Sequence, residues 1–380
     1  MSGSDNRSTA RVLVGVACTF LCAPALMAVV PAVAQSTTGR PADGGLVTAV
    51  TSASTVGAEL LMPLLLGRIS GGRVFAAALL LLGLGALGHL AVEASLPAIL
   101  ALSVVRGAGF GACTVTGSVL VAELTQAHAR GRAIGNLGLV VGISSMISPT
   151  VGLVILGRFG AEWVWVFAGV VAVIGVPVVV GVATAARPAT GPSLYAAFQQ
   201  PGLMVPVLGL ALLTATYGGL VSFAPLMMEP SGWGSAATFF LAYGAARATT
   251  RWSGGRAADR FGHRGVLVLG LLGASVGLLI LPITLQPLAV VLAGVVYGGG
   301  SGMAQSAIFV GMLERTASGA ARLVGTLWNL AFDAGVSLGG LVLGLVAATA
   351  GYNGVLVCLP LLTALAFVLL ATTTRKSVAR

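Results

Sequence analysis

A helix needs about twenty consecutive apolar residues to cross a bilayer. This chain supplies such runs one after another, with only short polar breaks between them. That repetition settles the fold class, because backbone groups in lipid must bond within their own segment or within a closed barrel. We count twelve runs, over residues 12–34, 44–66, 74–92, 96–122, 133–156, 163–184, 202–228, 236–252, 265–285, 288–313, 323–348 and 352–373. Composition agrees: 57% of the 380 residues are hydrophobic, 8% are charged and mean hydropathy is +1.01. A soluble domain carries about 25% charged residues. The longest break, 185–201, contains Pro188, Pro192 and Pro201 and divides the chain almost in half.

A formal charge of +10 would suit a nucleic-acid partner, but the basic residues sit in short loops, not on one face. No nucleic acid is therefore expected. With both termini placed inside, the inner loops and tails collect nearly every basic residue, among them Arg68, Arg73, Arg130, Arg132, Arg247, Arg251, Arg256, Arg260 and Arg264. The outer loops keep only Arg40 and Arg158. That asymmetry is the positive-inside rule, and it predicts twelve spans with cytoplasmic termini. Lysine occurs once, at Lys376; with the abundance of Ala, Gly, Val and Arg this suggests a GC-rich bacterial genome, so the expected location is a bacterial plasma membrane. The first run ends Ala32-Val33-Ala34, like a signal-cleavage site. It exceeds the ~7–15 residues of a signal core, so it reads as an uncleaved first helix. Cys18, Cys22, Cys113 and Cys358 lie in apolar runs, and His89, His128 and His263 are scattered at run ends. Neither set has ligand spacing, and no metal or other cofactor is expected.

The chain repeats itself half a length apart. Arg106-Gly107-x-Gly109-x-Gly111 in the fourth run is echoed by Tyr297-Gly298-Gly299-Gly300-x-Gly302 in the tenth, and Glu123 and Glu314 each follow 17 residues on. The stretch Gly67-Arg68 to Arg73 after the second run corresponds to Gly255-x-x-x-Asp259-Arg260-x-Gly262-x-Arg264 after the eighth. Two pseudo-symmetric six-helix bundles are predicted, 1–187 and 202–380, joined by a cytoplasmic linker at 188–201.

Two such halves, with that loop motif between the second and third helices of one of them, resemble the major facilitator superfamily. Ser148-Pro149-Thr150-Val151-Gly152 is similar to the fifth-helix motif of its exporters, with Ser148 where a glycine is usual. Tyr217-Gly218-Gly219-x-x-Ser222-Phe223-x-Pro225 and Asn329-x-x-Phe332-Asp333-x-Gly335 are similar to its bacterial drug- and metabolite-efflux members. The resemblance implies a cavity lined by the first, fourth, seventh and tenth helices, with the second and eleventh facing each other. It also implies a cytoplasmic gate braced by the loop aspartate.

Three ionisable residues, Glu59, Arg106 and Asp333, fall well inside runs. A charge at the helix centre costs about 2.5–3.5 kcal/mol even on lenient insertion scales, so each needs a partner, water or a function. Glu59 continues a stripe of Thr48, Ser52 and Thr55, while Asp333 lies with Thr326, Asn329 and Ser337; polar stripes at helical spacing face a cavity or another helix. These three are the expected proton-coupling residues, with Arg106–Glu59 a candidate ion pair. Tyr217, Tyr297, Gln305 and Asn329 are the expected substrate contacts, although ordinary interhelical hydrogen bonds explain each equally well. The expected gate comprises Gly255, Asp259, Arg260 and Arg264, with Arg130 and Arg132 or the start of the fifth helix receiving Asp259. The glycine runs do not bind nucleotide, since no strand precedes them; they suit close helix contact.

Together these features predict a monomeric secondary-active carrier. Its partners are protons, the lipid bilayer and a small organic substrate, extruded by alternating access of two bundles. No catalytic constellation is present, so no enzyme is expected. The rival readings are an importer of a small anion or sugar, and a membrane protein that transports nothing.

Overall fold

The computed structural model describes residues 3–92, 95–126, 130–182, 202–228, 233–316 and 321–376. The expected linker 188–201 lies outside them. All regular structure among the described residues is helical. In chain order the helices are α1 (Gly3–Thr38), α2 (Pro41–Leu66), α3 (Gly71–Leu87), a short 3-10 turn (Gly88–Leu90), α4 (Leu96–Glu123), α5 (Arg130–Phe159) and α6 (Ala161–Val180). Next come α7 (Met204–Met227), α8 (Trp233–Phe261), α9 (His263–Ile280), α10 (Pro287–Leu313) and α11 (Ala321–Lys376).

Among the described residues the twelve expected runs therefore lie on eleven helices, of which ten carry stretches long and apolar enough to cross a membrane. Two differences account for the count. The last two runs share α11, which breaks at Gly351 (φ 66, ψ −172), a left-handed conformation that glycine alone adopts without a Cβ penalty. The eighth run lies in α8, whose second half carries Arg247, Arg251, Arg256, Asp259 and Arg260 and so lacks the apolar character of the rest.

The expected hairpin after that run is mostly helix. α8 continues through Gly254 and Asp259 to Phe261, and one residue, Gly262 (φ 82), turns the chain into α9 at His263. Arg256-Ala257-Ala258 are good helix formers, so the helix ends only where glycine allows positive φ. Its expected counterpart is shorter: Gly67 to Ile69 form a turn and Gly71 already begins α3.

Apolar side chains face outward along most helices, among them Leu64, Leu84, Ile174, Leu269 and Leu361, as a lipid-exposed surface requires. Hydroxyls inside are turned back on their own helices: Thr19 donates to Gly15 O (2.9 Å), Ser103 to Ile99 O (2.7 Å) and Thr214 to Leu210 O (3.0 Å). Such bonds let a polar side chain stay in a span without an outside partner.

The chain divides into two compact units, Met1–Gly39 with Val50–Thr190, and Arg40–Ala49 with Gly191–Arg380. In the first, α1 packs on α5 and α6, and α3 on α4 and α6, around a core that includes Val12, Val16, Phe75, Leu79, Leu120 and Val179. In the second, α7 packs on α11, and α10 on both α8 and α9. The first turns of α2 belong to this unit. There Thr48 Oγ1 and Ser222 Oγ are 2.6 Å apart, and Ser337 Oγ donates to Ala49 O (2.9 Å).

Candidate functional site

In the first unit the site residues are placed by how closely α2, α3 and α4 approach. A Cβ on Gly107 would overlap the Thr51 carbonyl, and one on Gly111 the Thr55 carbonyl. Gly109 faces α3, where a Cβ would stand 2.6 Å from Leu82 N. Thr55 Oγ1 donates across to Gly107 O (3.2 Å) and Ser54 Oγ to Val104 O (2.7 Å). Thr55 of the α2 stripe and its neighbour Ser54 thus hold two helices together at the level of Gly107.

Glu59 is buried at 7% exposed, and Thr114 Oγ1 donates to its Oε1 (3.1 Å). Arg106 is buried at 3%, and its Nη2 donates to Ser103 Oγ (2.9 Å). Its Nε has no hydrogen-bond partner among the described residues. Its stem runs along α3, where a Cβ on Gly85 would lie 2.7 Å from Arg106 Cγ. The expected Arg106–Glu59 ion pair is not formed among the described residues. Register explains this. Glu59 meets α4 at Thr114, eight residues beyond Arg106, a rise of about 12 Å at 1.5 Å per residue. Arg106 points instead toward α3 and the 3-10 turn, where His89 stacks on Trp165 at 4.6 Å.

In the second unit an aromatic wall forms across α7, α8, α10 and α11. Tyr243 on α8 stacks on Tyr217 (5.5 Å between ring centres) and on Tyr297 (5.2 Å), and Phe332 lies 6.3 Å from Tyr217. Trp328, one turn before Phe332 on α11, stacks on it at 5.5 Å. Two arginines cover this wall. Arg247 Cζ lies 5.8 Å from the Tyr243 ring and 5.6 Å from that of Phe332, while Arg251 Cζ lies 4.6 Å from the Trp328 ring. Arg247 Nη2 also donates to Gln305 Oε1 (3.0 Å).

The expected substrate contacts are distributed around this wall. Tyr217 and Asn329 are half-buried. Gln305 is buried beneath Arg247, and Tyr297 is buried with its hydroxyl 2.8 Å from Thr216 Oγ1. Asp333 is buried at 8%, next in sequence to Phe332. Of the expected gate, Arg260 is exposed and Arg264 half-buried; the side chains of Gly255, Asp259, Arg130 and Arg132 lie outside the described residues. Close by, His263 Nδ1 is 2.9 Å from Glu314 Oε2, and Arg315 Nη1 donates to Gly311 O (2.6 Å). Burial pulls the Arg315 guanidinium below its ordinary range, against the opposing effect of Glu314.

The family model of the Major Facilitator Superfamily matches residues 12–339. The chain belongs to that superfamily. Two uncharacterized MFS-type transporters of Mycobacterium tuberculosis, from two strains, are each 32% identical over 155 residues. That stretch is 40% of this chain, which spans about a fifth (21%) of their length. Among solved structures, a point mutant of the nucleoside transporter NupG superposes with TM-score 0.80 at 12% identity, over 96% of this chain and 99% of that one. A bacterial homolog of the human lysosomal transporter Spinster, inward-facing and unoccupied, gives 0.79 at 16%, over 98% of each chain. At such identity these likenesses concern the fold, and the fold is that of major facilitator transporters.

For this major facilitator chain, reading the residues missed Arg247, Arg251, Tyr243 and Trp328 as parts of one site. The two arginines were assigned to an inner loop, whereas α8 carries them along its length. A signal was available. Phe239, Tyr243, Arg247 and Arg251 recur every four residues, as do Trp328 and Phe332, which places each set on one helix face.

Proposed function

We propose that the protein is a secondary-active exporter of a small amphipathic or hydrophobic organic compound, driven by proton entry and working by alternating access. The observation that carries this reading is that Glu59, Arg106 and Asp333 are only 7%, 3% and 8% exposed, in helices whose outer faces are apolar. An ionisable group at that depth needs a partner, water or a function, and carrying the coupled proton would give the two carboxyl groups a function. Glu59 or Asp333 would take a proton from outside as substrate leaves and release it inward to reset the carrier.

The same proposal includes twelve crossings, with the break at Gly351 separating the last two, and cytoplasmic termini in a bacterial plasma membrane. It keeps six-helix halves over 1–187 and 202–380 with a linker at 188–201, a monomeric carrier, and a cytoplasmic gate at Gly255, Asp259, Arg260, Arg264, Arg130 and Arg132. Tyr217, Tyr297, Gln305 and Asn329 line or support the substrate site. An efflux-deficient host expressing the chain, challenged with a compound panel, would identify an extruded compound by its lowered accumulation. In proteoliposomes, Glu59→Gln or Asp333→Asn should then abolish extrusion driven by a pH gradient. If both variants extrude as well as the parent, proton coupling through these residues is wrong. Uptake lost in Arg106→Ala would favour the importer instead.

A further inference from the structure

Arg247 and Arg251 carry two positive charges on one wall of the second unit, and neither meets a carboxylate within 4.0 Å among the described residues. The hydrogen-bond partner of the Arg247 side chain is neutral Gln305, at 3.0 Å; its other contacts are the faces of Tyr243 and Phe332. Arg251 rests on Trp328. Two buried groups that can only donate, Arg247 Nε and Trp328 Nε1, have no acceptor among the described residues. Buried donors are nearly always satisfied, and an acceptor from outside can reach these arginines, Arg247 being half-buried and Arg251 exposed.

The wall thus lacks an acceptor-rich negative charge. What it offers around the arginines is flat: the rings of Tyr217, Phe332 and Trp328 are half-buried and belong to one stacked series. We propose that this wall binds a planar aromatic anion, its acid group held by Arg247 and Arg251 and its ring laid against Tyr217, Phe332 and Trp328. Guanidinium is the cation best matched to a planar carboxylate, and rings stack in offset or edge-to-face geometry on aromatic side chains. Aromatic cations are disfavoured, because the arginines already occupy ring faces and repel a further positive charge. The proposal rests on the transporter reading for any movement of the bound acid across the membrane, and narrows the substrate to an acid with a ring.

The full chain in detergent would be titrated with benzoate, 1-naphthoate and indole-3-carboxylate. Each is paired with its neutral alcohol, and tetraphenylphosphonium serves as the aromatic cation. At least one acid should bind ten-fold or more tighter than its alcohol and tighter than the cation. Arg247→Gln and Arg251→Gln should each erase most of that preference while leaving the alcohol's affinity within about two-fold. Arg247→Lys, which keeps the charge and guards against misfolding, should retain part of it. Equal binding of acid and alcohol across all three pairs, preference for the cation, or a preference unchanged in both glutamine variants would overturn the proposal. Flux in proteoliposomes separates the two readings. An acid that binds with this preference but is never moved leaves the site standing and counts against transport, whereas extrusion of a compound without the preference does the reverse.

Discussion

Arg106 is buried and Arg247 half-buried, and their surroundings differ. Arg106 is wrapped by its own helix and α3, with Ser103 as its hydrogen-bond acceptor. Arg247 lies over two rings and bonds Gln305, so its charge is held partly by π faces, each interaction being worth about 0.5–2 kcal/mol. Neutral pairs are more modest contributors at this scale. Thr216 and Tyr297, both buried with their oxygens 2.8 Å apart, join α7 to α10. Interhelical hydrogen bonds in membranes contribute about 0.6 kcal/mol on average and up to about 1.7. Thr216→Val should therefore lower stability by that order in a denaturing-detergent titration. Thr216→Val with Tyr297→Phe should cost little more than the single change, because no hydroxyl is then left without a partner. Strictly additive losses would show that the two hydroxyls act independently.

At the scale of helices, close approach matters more than any polar pair. α10 presents Gly294, Gly298 and Gly302 to α8 at four-residue intervals, and a Cβ on Gly298 would overlap the Tyr243 carbonyl. Gly298→Ala should push α8 away from α10, part the Tyr243–Tyr297 stack and cost well beyond the few tenths of a kcal/mol of an ordinary surface change, read as a lowered melting temperature. Gly299→Ala, whose Cβ would meet only Thr250 Cγ2 at 3.6 Å, should melt like the parent. If the two variants melt alike, this contact does not hold the pair together. The length of α8 also recasts the basic stretch at its end: Asp259 lies on the helix, three residues before the turning Gly262. As the proposed gate residue, Asp259→Asn should raise the labelling of cysteines introduced on the cytoplasmic side at least several-fold. Unchanged labelling would reduce the stretch to a topological anchor.

For the molecule as a whole, the number of crossings decides whether the two ends share a side. Among the described residues ten stretches meet the length and hydropathy expected of a span, one of them the 47-residue Val324–Leu370, and α8 is not among them. If α8 crosses and α11 crosses twice about Gly351, the count is even and both ends share a side. Green fluorescent protein fused after Arg380 should then fluoresce, and alkaline phosphatase at the same place should be inactive. A fusion placed near Gly351 should give the opposite pattern. Active phosphatase after Arg380 would place that end outside and, four crossings back, would remove the cytoplasmic assignment of the gate.

The residues alone were enough for the helical membrane class, the superfamily and the close-packing role of glycines such as Gly298, because these arise from one-dimensional patterns: apolar runs long enough to span, a motif after the eighth run, small residues at helical spacing. They also placed Glu59, Arg106 and Asp333 inside helices. Sequence spacing did not reveal which of these meet, since contact depends on register between helices. Gly107 and Gly111 lock α4 against α2 so that Glu59 reaches Thr114 and misses Arg106. Nor did it assemble the aromatic wall, whose members come from four helices. The backbone overlaps that exclude a Cβ set how α8 lies on α10, and that packing decided that half-buried Arg247 lies against rings and Gln305 and that exposed Arg251 rests on Trp328.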